Sequence, residues 1–553
     1  MSGTFTAELV ASDWSPQKAR HLVNRAGFGI PESAVQHLAA LTPQEAVDLL
    51  VEYERFPSNL SAPVFLSAPI DREDLKIALE TAEERERAVQ ELMRQGREEM
   101  AQLKVWWLSQ MRATNRPLQE KLTLFWHSHF AVSAEKVKQP AHNYDLNKIL
   151  RDNAAGNFRD LVFLVGKSPA MLLYLDNRQN RKGRPNENWA RELMELFTLG
   201  IGQYSEQDIK EAARAFSGYT LVDNQFRFVP SQHDYGTKTF MGHTGDLDGR
   251  DIINIIFEQP AAAEFITRKL WIYFVYDNPS PELVREFAAI LRENNYELKP
   301  LLRAIFLSRE FYTSRAVNQQ VKSPAQFLVM LLEHLQLGMP TPNAASLALK
   351  ALGQDLFYPP NVKGWDGNRA WITTTTLLTR YNLPVYLATG QRPDLGTDRR
   401  LDEMGPPPAS APVMEPAMME VNAQQGLPSS KAPAQPREQI RRQVQQRLAQ
   451  IRASNAAARK TSSSEKRFST RGNLKADVDK LFAALIGQPV SQAVEILLAR
   501  YLSHPLDATQ RQVLTRVLAD GSNEQAPLTP QHLRKAGPAF LQLLFSTAEY
   551  QLC

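Results

Sequence analysis

Between Pro384 and Pro436 ten prolines fall within 53 residues, with Ala, Gln, Ser and Met between them. Each proline removes a backbone donor and clashes with the preceding helical turn, so neither a long helix nor an interior strand is expected there. The composition predicts a disordered, partly extended linker. A folded core must then be assembled from the flanks: residues 14–382, completed by 474–553 returning across an insertion at 383–473. The second part of that insertion, 437–471, holds ten Lys or Arg against two Glu, a local charge of +8, whereas the whole chain is only +4. Ile440, Val444, Leu448 and Ile451 would put a narrow apolar stripe on a helix in this basic arm. Such an arm is either a solvated tether with a transient helix or a docking element for an acidic partner. With Phe468 as its one aromatic residue it lacks the rings that stack bases, so specific nucleic-acid binding is not expected.

The chain has 553 residues, enough for two or three domains, and 43% hydrophobic residues support globular folding over most of it. The one cysteine is Cys553, which rules out an intramolecular disulfide and any zinc site built on several thiolates. No run of 18 apolar residues is present and the first twenty residues lack a basic start followed by an apolar stretch. The expectation is a soluble cytoplasmic protein without a membrane span; export alongside a signal-bearing partner is compatible with the same sequence.

The pattern along the chain is mainly α. Short helices open at Pro or Ser in residues 14–56. Asp71–Arg112 reads as one long charged helix, anchored to the core by Trp106 and Trp107. An apolar helix over 117–132 carries His127 and His129. Ser205 and Asp208 sit in capping-box positions at the start of another helix. Thr220–Pro230, with Phe226 and Phe228 alternating, is the strand candidate, half of a small hairpin with Thr239–Gly242 as its return. Four helices follow after residue 474, the last opened by Thr529-Pro530.

Pro185–Gly200, PNENWARELMELFTLG, reads as a single helix from a first-turn proline to a terminating glycine. At 100° per residue, Glu187, Asn188, Arg191, Glu192 and Glu195 fall within roughly 140° of one another. Trp189, Ala190, Leu193, Leu196 and Phe197 cover the other side. The polar face is either turned into a site or solvated and tied by Glu187–Arg191 and Arg191–Glu195 pairs. Five of the ten histidines, His127, His129, His142, His233 and His243, surround this segment in sequence. Imidazole and carboxylate together suit a divalent transition metal, with His127, His129, Glu192 and His233 as candidate ligands. On a helix His127 and His129 point about 200° apart, so joint ligation requires a non-helical backbone. In the polar loop HDYGTK (233–238), Asp234 is placed to orient His233 as a general base and Lys238 to neutralise an anionic oxygen. The same loop also reads as a turn in which Asp234 caps its own backbone. Candidate catalytic residues are thus Glu187, Arg191, Glu192, Glu195, His233, Asp234 and Lys238.

Seven segments together carry a family resemblance: HLVNRAGFG (21–29), FWHSHF (125–130), SPAMLLYLDN (168–177), PNENWARELMELFTLGIGQYSEQDIKEAARAFSGYT (185–220), HDYGTKTFMG (233–242), VKSPAQFLV (321–329) and PPNVKGWDG (359–367). The chain resembles the large bacterial family known as domain of unknown function number 1800. The matching positions are Trp126, His127, His129, Asn186, Glu187, Asn188, Arg191, Glu192, Glu195, His233, Asp234, Lys238, Lys363, Gly364 and Trp365. The resemblance implies no established activity or cofactor. It implies a sulfatase-like or phosphatase-like protein bearing an export signal as a partner. Two functions are therefore carried forward: a metal-assisted hydrolase using the His/Glu cluster, and a non-catalytic scaffold or secretion partner.

Overall fold

Ser or Thr followed by Pro opens helix after helix. Ser15, Thr42, Ser168, Ser280, Ser323, Thr341 and Thr529 each accept a first-turn N–H while the next residue, a proline, takes the position whose own N–H would go unused. Ser205 and Asp208 cap reciprocally, at 3.1 and 2.8 Å. The computed structural model of the chain describes residues 5–29, 32–70, 72–390, 437–465, 475–502 and 505–553. It is mainly α-helical with two small antiparallel hairpins. No helix among the described residues is long and apolar enough to cross a membrane.

The chain forms two compact units. The larger comprises 1–69, 92–390 and 470–553, and it contains two apolar cores. One gathers the helices between Pro16 and Leu307 around Trp126, Phe158, Trp189, Phe197 and Trp271, all 1% exposed or less. The other joins the second half of the helix Ala82–Ala113, the helices Pro324–His334 and Thr374–Thr389, and those after residue 475. The C-terminal helices are stitched in by backbone bonds, Ala476 N to Leu387 O at 2.8 Å and Lys322 N to Gln551 O at 2.9 Å. Phe327, Phe482, Phe540 and Tyr550 are fully buried there, each contributing roughly 1.5–3 kcal/mol of burial.

The hairpins depart from the single-hairpin expectation. β1 (Tyr219–Val222) pairs with β2 (Gln225–Phe228), and β3 (Lys238–Phe240) pairs with β4 (His243–Gly245). Asp223 and Asn224 both take positive φ, 51° and 59°, which closes a two-residue turn inside the stretch read as one strand. Met241 and Gly242, at 45° and 85°, do the same for the second hairpin.

The smaller unit comprises 70–91 and 391–469. The long charged helix expected over 71–112 is broken here. One helix runs Arg72–Ala78 and a new one starts at Ala82, because Thr81 and Glu84 exchange capping bonds at 3.1 and 3.2 Å. The basic arm, expected as a tether with a transient helix, holds a helix over Arg437–Glu465. Its stripe Val444, Leu448 and Ile451 is 1–4% exposed, and Arg452 pairs with Glu91 at 3.2 Å. Burial of that stripe supplies what the Arg- and Gln-rich composition lacks. Upstream, the helix Thr374–Thr389 continues through Pro384 to a left-handed Gly390 at φ 71°. The expected Pro-rich linker lies, from residue 391 to 436, outside the described residues.

Candidate functional site

The signature segment is two helical pieces, not one. An α-helix spans Asn188–Glu192, and a wider π-helix spans Leu193–Thr198. Pro185 stands outside it. Glu187 is the N-cap residue, and Asn186 just before it accepts from Asn188 N at 3.0 Å. Leu199 N bonds back five residues to Met194 O at 2.9 Å, the wide spacing that recurs at functional sites. Widening breaks the i, i+4 register beyond Glu192, and the expected Arg191–Glu195 pair does not form. Arg191 holds Glu187 at 3.3 Å and Glu206, on the next helix, at 2.8 Å. Glu195 accepts from the Tyr204 hydroxyl at 3.2 Å. Burial, and then the neighbouring Glu195, raise the Glu192 carboxyl above its usual range. The face is therefore half-buried, and on the apolar side Trp189, Ala190, Leu193 and Phe197 are buried while Leu196 is partly covered. At Gly166 a Cβ would fall 2.6 Å from Trp189 Cζ2, which shows how closely that side packs.

The histidines are committed elsewhere. His127 Nε2 accepts from Phe357 N at 3.0 Å, and its ring lies edge-on to Trp107 at 4.9 Å between centroids. His129 Nε2 donates to Phe197 O at 3.0 Å while its Nδ1 accepts from Lys269 Nζ at 3.0 Å. His233 Nδ1 donates to Ser217 O at 2.8 Å. Among the described residues no three His, Cys, Asp or Glu side chains are grouped so as to hold a metal ion. The proposed ligand set His127, His129, Glu192 and His233 is thus not assembled among the described residues.

The HDYGTK loop is rearranged in the same sense. Asp234 does not orient His233. It binds Arg214 at 2.9 Å and accepts from Gly236 N at 2.9 Å, and the Arg214 bond draws its carboxyl down to about 2. Lys238, fully buried, reaches Asp246 at 3.2 Å. The turn reading of this loop accounts for these contacts better than the acid–base reading.

Three signature motifs meet at the C-terminal end of the helix Pro117–His129. His127 faces Trp365 at 5.7 Å between centroids. Ser128 Oγ accepts from Trp365 N at 3.3 Å. His129 closes onto the π-helix through Phe197. Lys269, which the sequence reading missed, completes this junction: Nζ donates to His129 Nδ1 and, at 3.3 Å, to Leu196 O. Burial, then Lys363, lowers its ammonium to about 8. Within Arg268-Lys269-Leu270-Trp271 it looks like an ordinary helix cation, and only its position at i+3 from the buried Ile266 hints otherwise.

Burial lowers His127 and His334 to about 3 and His129 well below its usual value. In the unfolded chain these rings titrate near 6.5. The unfolded state therefore binds more protons below 6.5, and stability falls as pH drops from 6.5 towards 3. Between pH 7.5 and 5.5 each ring should cost about 1.4 kcal/mol. Urea midpoints at the two pH values measure this. His127→Gln, which keeps an acceptor for Phe357 N, should show a smaller pH-induced drop than the parent, and equal drops would contradict the assignment.

The fold and this junction define a mainly helical protein whose signature polar residues lock its own elements together. The chain belongs to the family described as "Protein of unknown function (DUF1800)", whose model matches residues 21–552. No curated protein and no solved structure matches it.

Proposed function

We propose that the chain is a non-catalytic binding protein, a rigid helical platform for a partner protein. The observation behind this reading is Ile201. It lies three positions beyond the end of the π-helix, is 81% exposed, and stands between Gly200 and Gly202, both in the left-handed region at φ 84° and 88°. Near it in sequence, Arg191 pairs with Glu206 and Tyr204 with Glu195, which leaves the apolar tip available to a partner. An exposed apolar anchor of this kind suits a pocket on another protein.

The family resemblance makes a sulfatase-like or phosphatase-like protein the partner to test. Ile201→Asp should weaken its capture by at least about tenfold, as expected for losing a buried anchor, with the urea midpoint unchanged. Unchanged capture would refute the reading. Metal-assisted hydrolysis draws no comparable support from the geometry. A stoichiometric transition metal in purified protein, lost in Glu192→Ala, would overturn the non-catalytic reading in its favour.

A further inference from the structure

Away from the signature junction, the helices Phe158–Lys167 and Gly249–Glu258 border a surface cleft of about 350 Å³ lined by Arg159, Asp160, Phe163, Arg250, Ile253 and Asn254. That volume is within the range of small-molecule sites. The Arg250 guanidinium lies over the Phe163 ring at 4.4 Å and Lys167 Nζ over the same ring at 3.8 Å. Among the described residues, none of Arg159, Lys167 and Arg250 forms an ion pair with a carboxylate.

We propose that this cleft binds a small hydroxyl-bearing phosphomonoester. Two guanidiniums on opposite helices offer forked donors that match phosphate oxygens, and the Asn254 amide adds a neutral one. The Phe163 ring restrains Arg250 through cation–π contact, which lowers the ordering cost of binding. Burial first, then the nearby Arg250, hold the Lys167 ammonium below its ordinary value against the opposing pull of Asp248. The Asp160 carboxylate on the rim repels a bare polyanion. It supplies instead an acceptor for a hydroxyl on the alcohol portion of an ester. Together these groups favour a phosphate with a polyol attached over phosphate alone.

Titration calorimetry on the full chain at constant ionic strength tests this, with inorganic phosphate, glycerol phosphate and glycerol as probes. Glycerol phosphate should bind more tightly than inorganic phosphate, and glycerol not at all. Arg159→Ala and Arg250→Ala should each weaken binding about tenfold or more, as expected for charge-assisted bonds, without moving the melting temperature of the unliganded protein. Asp160→Ala, which removes both the charge and the acceptor, should tighten inorganic phosphate and erase the preference for the ester. No binding at millimolar glycerol phosphate, or affinity unchanged from the parent in both arginine variants, overturns the site. Vesicles containing phosphatidate form the last arm. Arg250-dependent binding to them with no response to glycerol phosphate would assign the phosphate to a lipid headgroup and overturn the small-molecule form.

Discussion

Gly364→Ala is expected to destabilise the larger unit by at least about 3 kcal/mol, a sum of overpacking and left-handed backbone strain. Gly364 lies at φ 87°. A Cβ there would sit on the Ser128 carbonyl oxygen and 2.8 Å from Ser128 Oγ. The obstacle is backbone at the end of a buried helix, so it cannot swing aside as a side-chain tip would. Relief requires the 359–367 loop to lift, which would also loosen the Trp365 N bond to Ser128 and the packing of Trp365 on His127. The measurement is the urea midpoint, with Gly367→Ala as control. Gly367 has a similar φ of 77°, with ψ −178°, but nothing within 4 Å of its Cβ, so it should lose only the backbone part, about 1–3 kcal/mol. Equal losses at the two glycines would show that contact with Ser128 is not the cause.

Glu120→Ala is expected to cost about 3–5 kcal/mol, because it strands a buried cation. The Glu120 and Arg151 side chains are each 3% exposed and bond at 2.6 and 3.1 Å. Glu120 also accepts from Trp107 Nε1 at 3.0 Å, and Arg151 donates to Asn147 Oδ1 at 2.7 Å. Removing the carboxylate leaves a guanidinium and an indole N–H without their acceptor in a dry environment. The matched double variant Glu120→Met with Arg151→Leu removes both charges and should recover most of the loss, since a buried pair contributes little net stability over apolar residues of similar size. Urea midpoints of the three proteins decide it. A double variant no more stable than Glu120→Ala would mean that the pair itself, rather than the stranded charge, carries the energy.

Both residues show the limit of sequence reading. Glu120 lies in PLQEKLTLFW, where a charged side chain two positions before an apolar run reads as a solvated one. Its partner is 31 residues away, and nothing local announces it. Gly364 was singled out through the family motif, but its φ and its neighbour come from a helix ending more than 230 residues earlier. Lys269 went unnoticed for the same reason. The signature segment was legible as an amphipathic helix because periodicity is local. The π-helix within it was not, because its spacing depends on what packs beneath Leu193 and Phe197. Reading 220–230 as one strand overlooks local chemistry: Asp223-Asn224 tolerates the positive φ of a hairpin turn, and that signal stands in the sequence.

What the sequence determined by itself was everything whose energy is paid within a few residues. That includes the helical character, the Ser/Thr-Pro starts, the reciprocal Ser205–Asp208 cap and the apolar faces destined for burial. The tertiary structure alone decided the long-range partners of the polar side chains. His129 finds Lys269 across 140 positions, His127 finds Phe357 across 230, and Arg191 leaves Glu195 for Glu206. A charged or polar group takes whichever partner the packed backbone brings within about 3 Å, and that choice is made only after the helices have come together.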